Sequence, residues 1–261
     1  MQELLTELCE LLSRATGVHF FAHQAINYRA LGDALDRGEL GLAWMPPIPA
    51  IEVEDRKAAR VLVLPVRRGA VAYHTAIFTH RGGPKTIAEL RGKRAAWVDR
   101  SSVGGYLVAR MHLAANGLEG HAPLGSETFL GNHEAVIEAV ATRRADFGAT
   151  FCTLDGKGKI LQAGWTDAIG KVRTPVEVIA TAGPIPNDAI VVSTHVPDEL
   201  RAAVLRWFLE LHGRAKEVVH LLVRSDSFTS ARSAHYQPLR ELMALARDVA
   251  RGTSSSKIKL K

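Results

Sequence analysis

Apolar residues recur at helical spacing near both ends of the chain and in short, dense runs between them. Leu4, Leu5, Leu8, Leu11 and Leu12 repeat with a helical period, which predicts an opening amphipathic helix stopped by Gly17. Val18-His19-Phe20-Phe21 then reads as a short strand. Residues 28–37 predict a second helix, with Leu31, Ala34 and Leu35 on one face and Gly38 as its stop. The run Leu40-Gly41-Leu42-Ala43-Trp44-Met45 is almost wholly apolar, the pattern of a strand buried in a parallel sheet.

Strands are expected at 61–66, 71–79, 95–98, 128–130, 145–151 and 176–181. Thr86 and Glu89 have the spacing of a capping box for a short helix through Leu90. A helix after Ser101-Ser102 carries Val103, Tyr106, Leu107, Met111 and Ala114 on one face and closes at Asn116-Gly117. Another spans 132–143, and the last third is mostly helical over 197–212, 215–223 and 236–251. Helix alternating with strand indicates an α/β protein. Breaks at Arg81-Gly82-Gly83-Pro84 and Gly183-Pro184-Ile185-Pro186 suggest two lobes, one formed by 1–80 with 185–252 and the other by the insertion 81–184. The Ser-rich tail 253–261 is expected to be disordered. Ligands of open α/β sheets bind at the carboxyl ends of strands, so the ligand is expected between the lobes.

The chain has 261 residues, of which 47% are hydrophobic and 23% charged, enough for one large core or two modest ones. Aromatic residues make up 6%, which argues against a stacking platform for single-stranded nucleic acid. The net charge of +6 is spread over scattered Lys and Arg, apart from short runs such as Arg67-Arg68, Arg143-Arg144 and the tail Lys257-Ile258-Lys259-Leu260-Lys261. That distribution reads as a solvated basic surface that attracts anions; nucleic acid is not an expected partner. Cys9 and Cys152 have no metal-site spacing and are expected to be free, buried thiols. No apolar run approaches the ~18 residues of a membrane span. The start, Met1-Gln2-Glu3-Leu4-Leu5-Thr6-Glu7, is acidic and amphipathic, unlike a secretory signal.

Three segments offer chemistry. Asp99-Arg100-Ser101-Ser102-Val103-Gly104-Gly105-Tyr106 joins a strand to a helix, where glycines bring backbone N–H groups close to a ligand and the helix start favours an anion. The alternative there is an N-cap serine followed by glycines that only allow tight packing. His133 opens the next helix and either donates to an oxyanion or is simply structural. Asp188, in Pro186-Asn187-Asp188, either supplies a carboxylate or caps a turn. No phosphate-binding G-x-x-x-x-G-K-[ST] loop, G-x-S-x-G elbow or H-E-x-x-H helix is present, so neither a catalytic constellation nor a metal site is indicated.

Several stretches, in order along nearly the whole chain, resemble the phosphate/phosphite/phosphonate-binding proteins of ABC transporters. They are Tyr28 to Leu35 with Gly38 to Trp44, Tyr73-His74-Thr75, and Leu90-Arg91-Gly92-Lys93-Arg94-Ala95-Ala96-Trp97-Val98-Asp99. Ser102 to Tyr106, Gly131 to Val140, Ala145 to Ala149, Ile185 to Val192 and Tyr236 to Arg240 complete the series. The resemblance implies a type II periplasmic-binding fold and a solute-binding protein that captures a small oxyanion without transforming it. A membrane permease is the implied partner; a monomer is expected, with no cofactor. It also implies that Ser102, His133, Tyr28, Tyr73 and Asp188 hold the ligand; the junction itself adds the Ser101 hydroxyl and the backbone of Val103 and Gly104 as candidates.

This chain departs from the family pattern in two places. The family's Ser-Thr-Ser element is Ser102-Val103-Gly104, so two hydroxyl donors are replaced, and the ligand is expected to be a carboxylate or a different phosphonate. The chain also begins at the first helix, without the signal peptide and first strand that family members normally have. The expectation is therefore periplasmic by resemblance, or cytoplasmic if that start is authentic. Cytosolic enzymes of this fold, such as dehydratases, and ligand-sensing regulators stand as the alternatives.

Overall fold

The computed structural model describes residues 2–118, 124–167, 170–225 and 227–250. In chain order its elements begin with α1 (Gln2–Thr16), α2 (Tyr28–Asp36), β1 (Leu42–Met45), α3 (Pro47–Asp55), β2 (Ala59–Val66), β3 (Ala72–Thr79) and β4 (Arg94–Trp97). A π-helical turn (Val103–Leu107) runs into α4 (Val108–Ala115), followed by β5 (Ser126–Phe129), α5 (His133–Ala141), β6 (Phe147–Leu154), β7 (Ile160–Ala163) and β8 (Glu177–Pro186). The chain then forms β9 (Ala189–Ser193), α6 (Asp198–Leu209), α7 (Gly213–Val223), β10 (Ser227–Ser230) and α8 (Ser233–Ala250). The result is the expected mixed α/β protein, with two separate sheets. It divides into two compact units, the first holding the chain up to Ala72 with Pro186–Tyr236, the second Tyr73–Ile185 with the chain from Gln237.

In the first unit the sheet order is β1-β9-β2-β10, and every pairing is antiparallel. The parallel strand expected at 40–45 is thus corrected. Leu42 faces Val192, because β9 enters the sheet between β1 and β2 from late in the chain. An apolar run reports burial on both faces, not strand direction. The strand expected at Val18–Phe21 is absent as well: the Phe20 N–H donates to Ser13 Oγ (2.8 Å) and Phe21 is 79% exposed. The core joins Leu12 of α1, Val63, Ile190 and Val192 of the sheet, Val204 and Phe208 of α6, and Phe228 of β10. The rings of Phe208 and Phe228 lie 5.0 Å apart.

In the second unit the sheet order is β5-β4-β6-β3-β8, with β7 beside β6. The β4–β5 and β4–β6 pairs are parallel, while β6 runs antiparallel to β3 and β7. Alternation divides the strands between two cores. Ala95, Trp97, Phe147, Ala149 and Ile77 pack with Ala109 and Leu113 of α4. Ala96, Val98, Cys152, Ala76 and Phe78 pack with Val136, Ile137 and Val140 of α5. The break expected at Gly183-Pro184 lies inside β8, which extends to Pro186. As the terminal strand in the order, β8 tolerates prolines that a central strand would not.

Both cysteines are free, Cys9 half-buried and Cys152 buried, where desolvation pushes its thiol up to about 12. Among the described residues no helix is long and apolar enough to cross a membrane, and no cluster of His, Cys, Asp or Glu is arranged to hold a metal. The tail expected to be disordered, 253–261, lies outside the described residues.

Candidate functional site

Because β5, β4 and β6 run parallel, their carboxyl ends come together in the second unit. The register Trp97↔Phe129 is extended beyond the strands by Leu130 N–H to Trp97 O (2.9 Å) and Gly131 N–H to Val98 O (2.8 Å). The two strand-to-helix junctions that begin at Asp99 and Leu130 therefore lie side by side. Each ends in a helix start, where unpaired N–H groups and the helix dipole favour negative charge.

At the first junction Asp99 Oδ1 accepts from the Ser101 N–H (2.7 Å) and the Ser101 hydroxyl (2.6 Å). Ser101 is exposed, and its hydroxyl donates within the turn. Ser102 is the N-cap, and its Oγ accepts from Gly105 N–H (3.1 Å). Of the N–H groups expected to meet an anion, that of Gly105 is thus already used. Leu107 N–H reaches Ser102 O (2.9 Å) and Val108 N–H reaches Val103 O, the wide spacing of a π turn, a feature frequent at functional sites.

The two positions that lack the expected hydroxyls have a packing reason. Val103 is buried at 8% exposure. Gly104 lies under the ring of Tyr73: a Cβ there would stand 2.9 Å from Tyr73 Cε2. The Gly104 carbonyl is held in turn by the Thr75 hydroxyl, which donates to it from the same strand, β3.

At the second junction Asn132 caps α5, its Oδ1 accepting from Ala135 N–H (2.8 Å), which sets His133 at the first helical position. His133 Nδ1 lies 2.8 Å from Thr150 Oγ1 of β6, and its ring meets Phe151 edge-on at 5.1 Å between centroids. Burial lowers the imidazole's pKa below the ordinary histidine value, while the negative charge of Asp99 pulls the other way. Tyr73, Ser102, Val103, Gly104 and His133 thus form one neighbourhood, joined by Phe151, whose Cβ lies 3.8 Å from the point a Gly104 Cβ would occupy.

Tyr28 and Asp188 form a second group, in the first unit. Asn27 caps α2 as Asn132 caps α5, with Oδ1 accepting from Ala30 N–H (2.8 Å), and Tyr28 follows at the same helical position as His133. Tyr28 is 45% exposed, yet desolvation of its phenol, then the charge of Asp188, raises its pKa and keeps the hydroxyl protonated. Asp188 pairs with Arg67 across 3.5 Å. Asn187 is buried and anchors this segment, its Nδ2 donating to Pro65 O (2.9 Å) and Ala70 O (3.1 Å).

In the sequence Asp99, Thr75 and Arg67 stand only as members of longer stretches, and Thr150 and Phe151 only as part of a strand, so none of the five stands out as a site residue. Arg67 had one visible signal, the Arg67-Arg68-Gly69 run, which makes a tight turn with positive φ at Arg68 (53°) and Gly69 (76°). The others sit on or next to strands, and alternation does not mark which strand ends open toward a ligand.

A family model described as the periplasmic substrate-binding protein of phosphonate ABC transporters matches residues 1–236. Similar solved structures include XAC2383 from Xanthomonas citri bound to ATP, at TM-score 0.76 and 20% identity over 97% of this chain and 94% of that one. The binding-protein component of an ABC phosphonate transporter from Pseudomonas aeruginosa matches at TM-score 0.67 and 18% identity, over 98% and 84%. PhnD1 from Prochlorococcus marinus, in complex with methylphosphonate, matches at TM-score 0.61 and 15% identity, over 93% and 90%.

Proposed function

The chain belongs to the periplasmic substrate-binding proteins of phosphonate ABC transporters, and from that premise we propose that this solute-binding protein captures a small phosphorus oxyanion and releases it unchanged to a membrane permease. The observation that carries the reading is the pair of helix starts side by side at the ends of parallel β4 and β5. Two such starts concentrate unpaired N–H donors where one anion can meet both.

In this proposal the N–H groups of Val103 and Gly104 and the Ser102 hydroxyl donate to the oxyanion. His133 adds a donor from the second start. A Thr150 hydroxyl donating to Nδ1 leaves the ring proton on Nε2, which serves as that donor. Within the first unit, Tyr28, kept protonated, is proposed as a ligand donor and Asp188, with one oxygen facing Arg67, as a ligand acceptor. The donors at the two helix starts fit capture of an anion. The periplasm, the family's compartment, is the proposed place of action.

The test is a melting-temperature panel with phosphate, phosphite, methylphosphonate, sulfate and small carboxylates. A ligand that binds only the native protein stabilises it by about 2.7 kcal/mol at a hundredfold excess over Kd. A rise with a phosphorus oxyanion, lost in His133→Ala without a change in the ligand-free melting temperature, is the expected result. A rise with carboxylates alone would keep the capture and reject the ligand class; no rise across the panel or with an aryl phosphonate would reject the proposal.

A further inference from the structure

We propose that the solute carries a flat apolar group beside its anionic head, an aryl- or heteroaryl-substituted phosphorus oxyanion, stacked against Tyr73 and Phe151. The inference rests on the proposed function, since it assigns the solute's second half to the same site. Where the family pattern has two hydroxyls, this chain has a buried valine and a bare Cα, and the space beside Gly104 holds the Tyr73 ring instead. Phe151 lies nearby: its Cα and Cβ stand 3.8 Å from the Gly104 Cβ position, and its ring meets the His133 ring edge-on with centroids 5.1 Å apart.

Packing alone does not account for those two rings. Thr150 and Cys152, which flank Phe151 on β6, are both fully buried, yet Phe151 between them keeps part of its surface exposed. Tyr73 likewise sits at the half-buried start of β3, before the strand becomes fully buried from Thr75 onward. Partly exposed aromatic surface next to anion donors discriminates by stacking and by apolar burial, and inorganic phosphate can use neither. The loss of charge-assisted hydroxyl bonds weakens every oxyanion alike, while the rings restore affinity only to solutes that carry a ring.

Isothermal titration of the full chain with phenylphosphonate, methylphosphonate and inorganic phosphate tests this. Phenylphosphonate should bind more tightly than methylphosphonate by about tenfold or more, with phosphate weakest. Tyr73→Leu and Phe151→Leu, each checked for an unchanged ligand-free melting temperature, should weaken phenylphosphonate binding by a larger factor than methylphosphonate binding, so that the two affinities come together. If either variant misfolds, the other still reads the preference. Methylphosphonate or phosphate binding as tightly as phenylphosphonate overturns this inference and leaves the proposed function standing. No binding by any of the three overturns both.

Discussion

At Gly105 an added Cβ would stand 2.4 Å from Val98 Cγ2 and 2.8 Å from Ser102 Oγ, both fixed by the strand and the cap. At Gly104 the nearest atom is a ring carbon of Tyr73 at 2.9 Å, and a ring edge can swing away. Adjacent glycines therefore predict different outcomes. Gly105→Ala should destabilise the protein by about 1–3 kcal/mol through overpacking. Gly104→Ala should cost little stability but displace Tyr73 and weaken ligand binding; paired melting and titration curves separate the two. A Gly105→Ala protein as stable as the parent would show that the turn is looser than its contacts indicate. His133 invites a second measurement at this scale. Its imidazole is held below the ordinary histidine value chiefly by burial, so it is mostly neutral at pH 7. An anion bound beside it favours the charged form and raises that value, so binding near pH 6 should take up protons and strengthen as pH falls. Titrations in buffers of different ionisation enthalpy measure the uptake. His133→Gln should remove all but the solute's own contribution, and an unchanged uptake in that variant would exclude His133.

Two helices begin alike: Asn27 before Tyr28 and Asn132 before His133, each asparagine accepting at 2.8 Å from the N–H three residues on. The cap thereby fixes the backbone of a proposed ligand residue at the first helical position. Asn132→Ala should cost about 1 kcal/mol and weaken binding through His133, whereas Asn132→Ser, which still caps, should restore both. Equal affinity in the two variants would separate the cap from the site. Such helix starts were legible because asparagine, glycine and the apolar period announce them in sequence. Other elements were not. Pro46, Pro47 and Pro49 look like breakers, yet Pro47 begins α3, where the first turn needs no N–H from them. The short edge strand β10 carries Ser227 and Ser230 around one buried phenylalanine, too little pattern to stand out. The apolar run of β1 showed its burial but not that β9 would pair with it antiparallel. For the same reason the serine and histidine at the helix starts could be read, and the rings of Tyr73 and Phe151 as a wall could not. Their role depends on which strands become neighbours.

The two units differ in how they should answer to acid. His74, His112 and His133 all lie in the second unit, and burial lowers the pKa of each below the ordinary histidine value. The unfolded chain protonates these rings near the ordinary value of about 6.5, before the folded one does. Between those points the unfolded state binds more protons, so the stability they contribute is complete above about pH 6.5 and is lost as pH falls through the lower folded values. The first unit has one such histidine, His235, lowered by burial and by Arg232. The carboxylates with lowered values, among them Asp146 beside Arg94 in the second unit and Asp33 beside Arg56 in the first, act in a more acidic window. Their contribution is present above the usual carboxylate range of about 4 and is lost only as pH falls through their depressed values. From pH 7 to about 5, then, the second unit should lose stability first. Tryptophans allow each unit to be followed, Trp97 and Trp165 in the second and Trp44 and Trp207 in the first. Replacing either pair by phenylalanine leaves fluorescence from one unit, and denaturant titrations at pH 7 and pH 5 should separate as pH falls, with the second unit's midpoint moving further. A solute that binds at His133 should pull that midpoint back at pH 5. Coincident transitions at both pH values would mean that the units unfold as one, and that the buried histidines weaken the whole chain together.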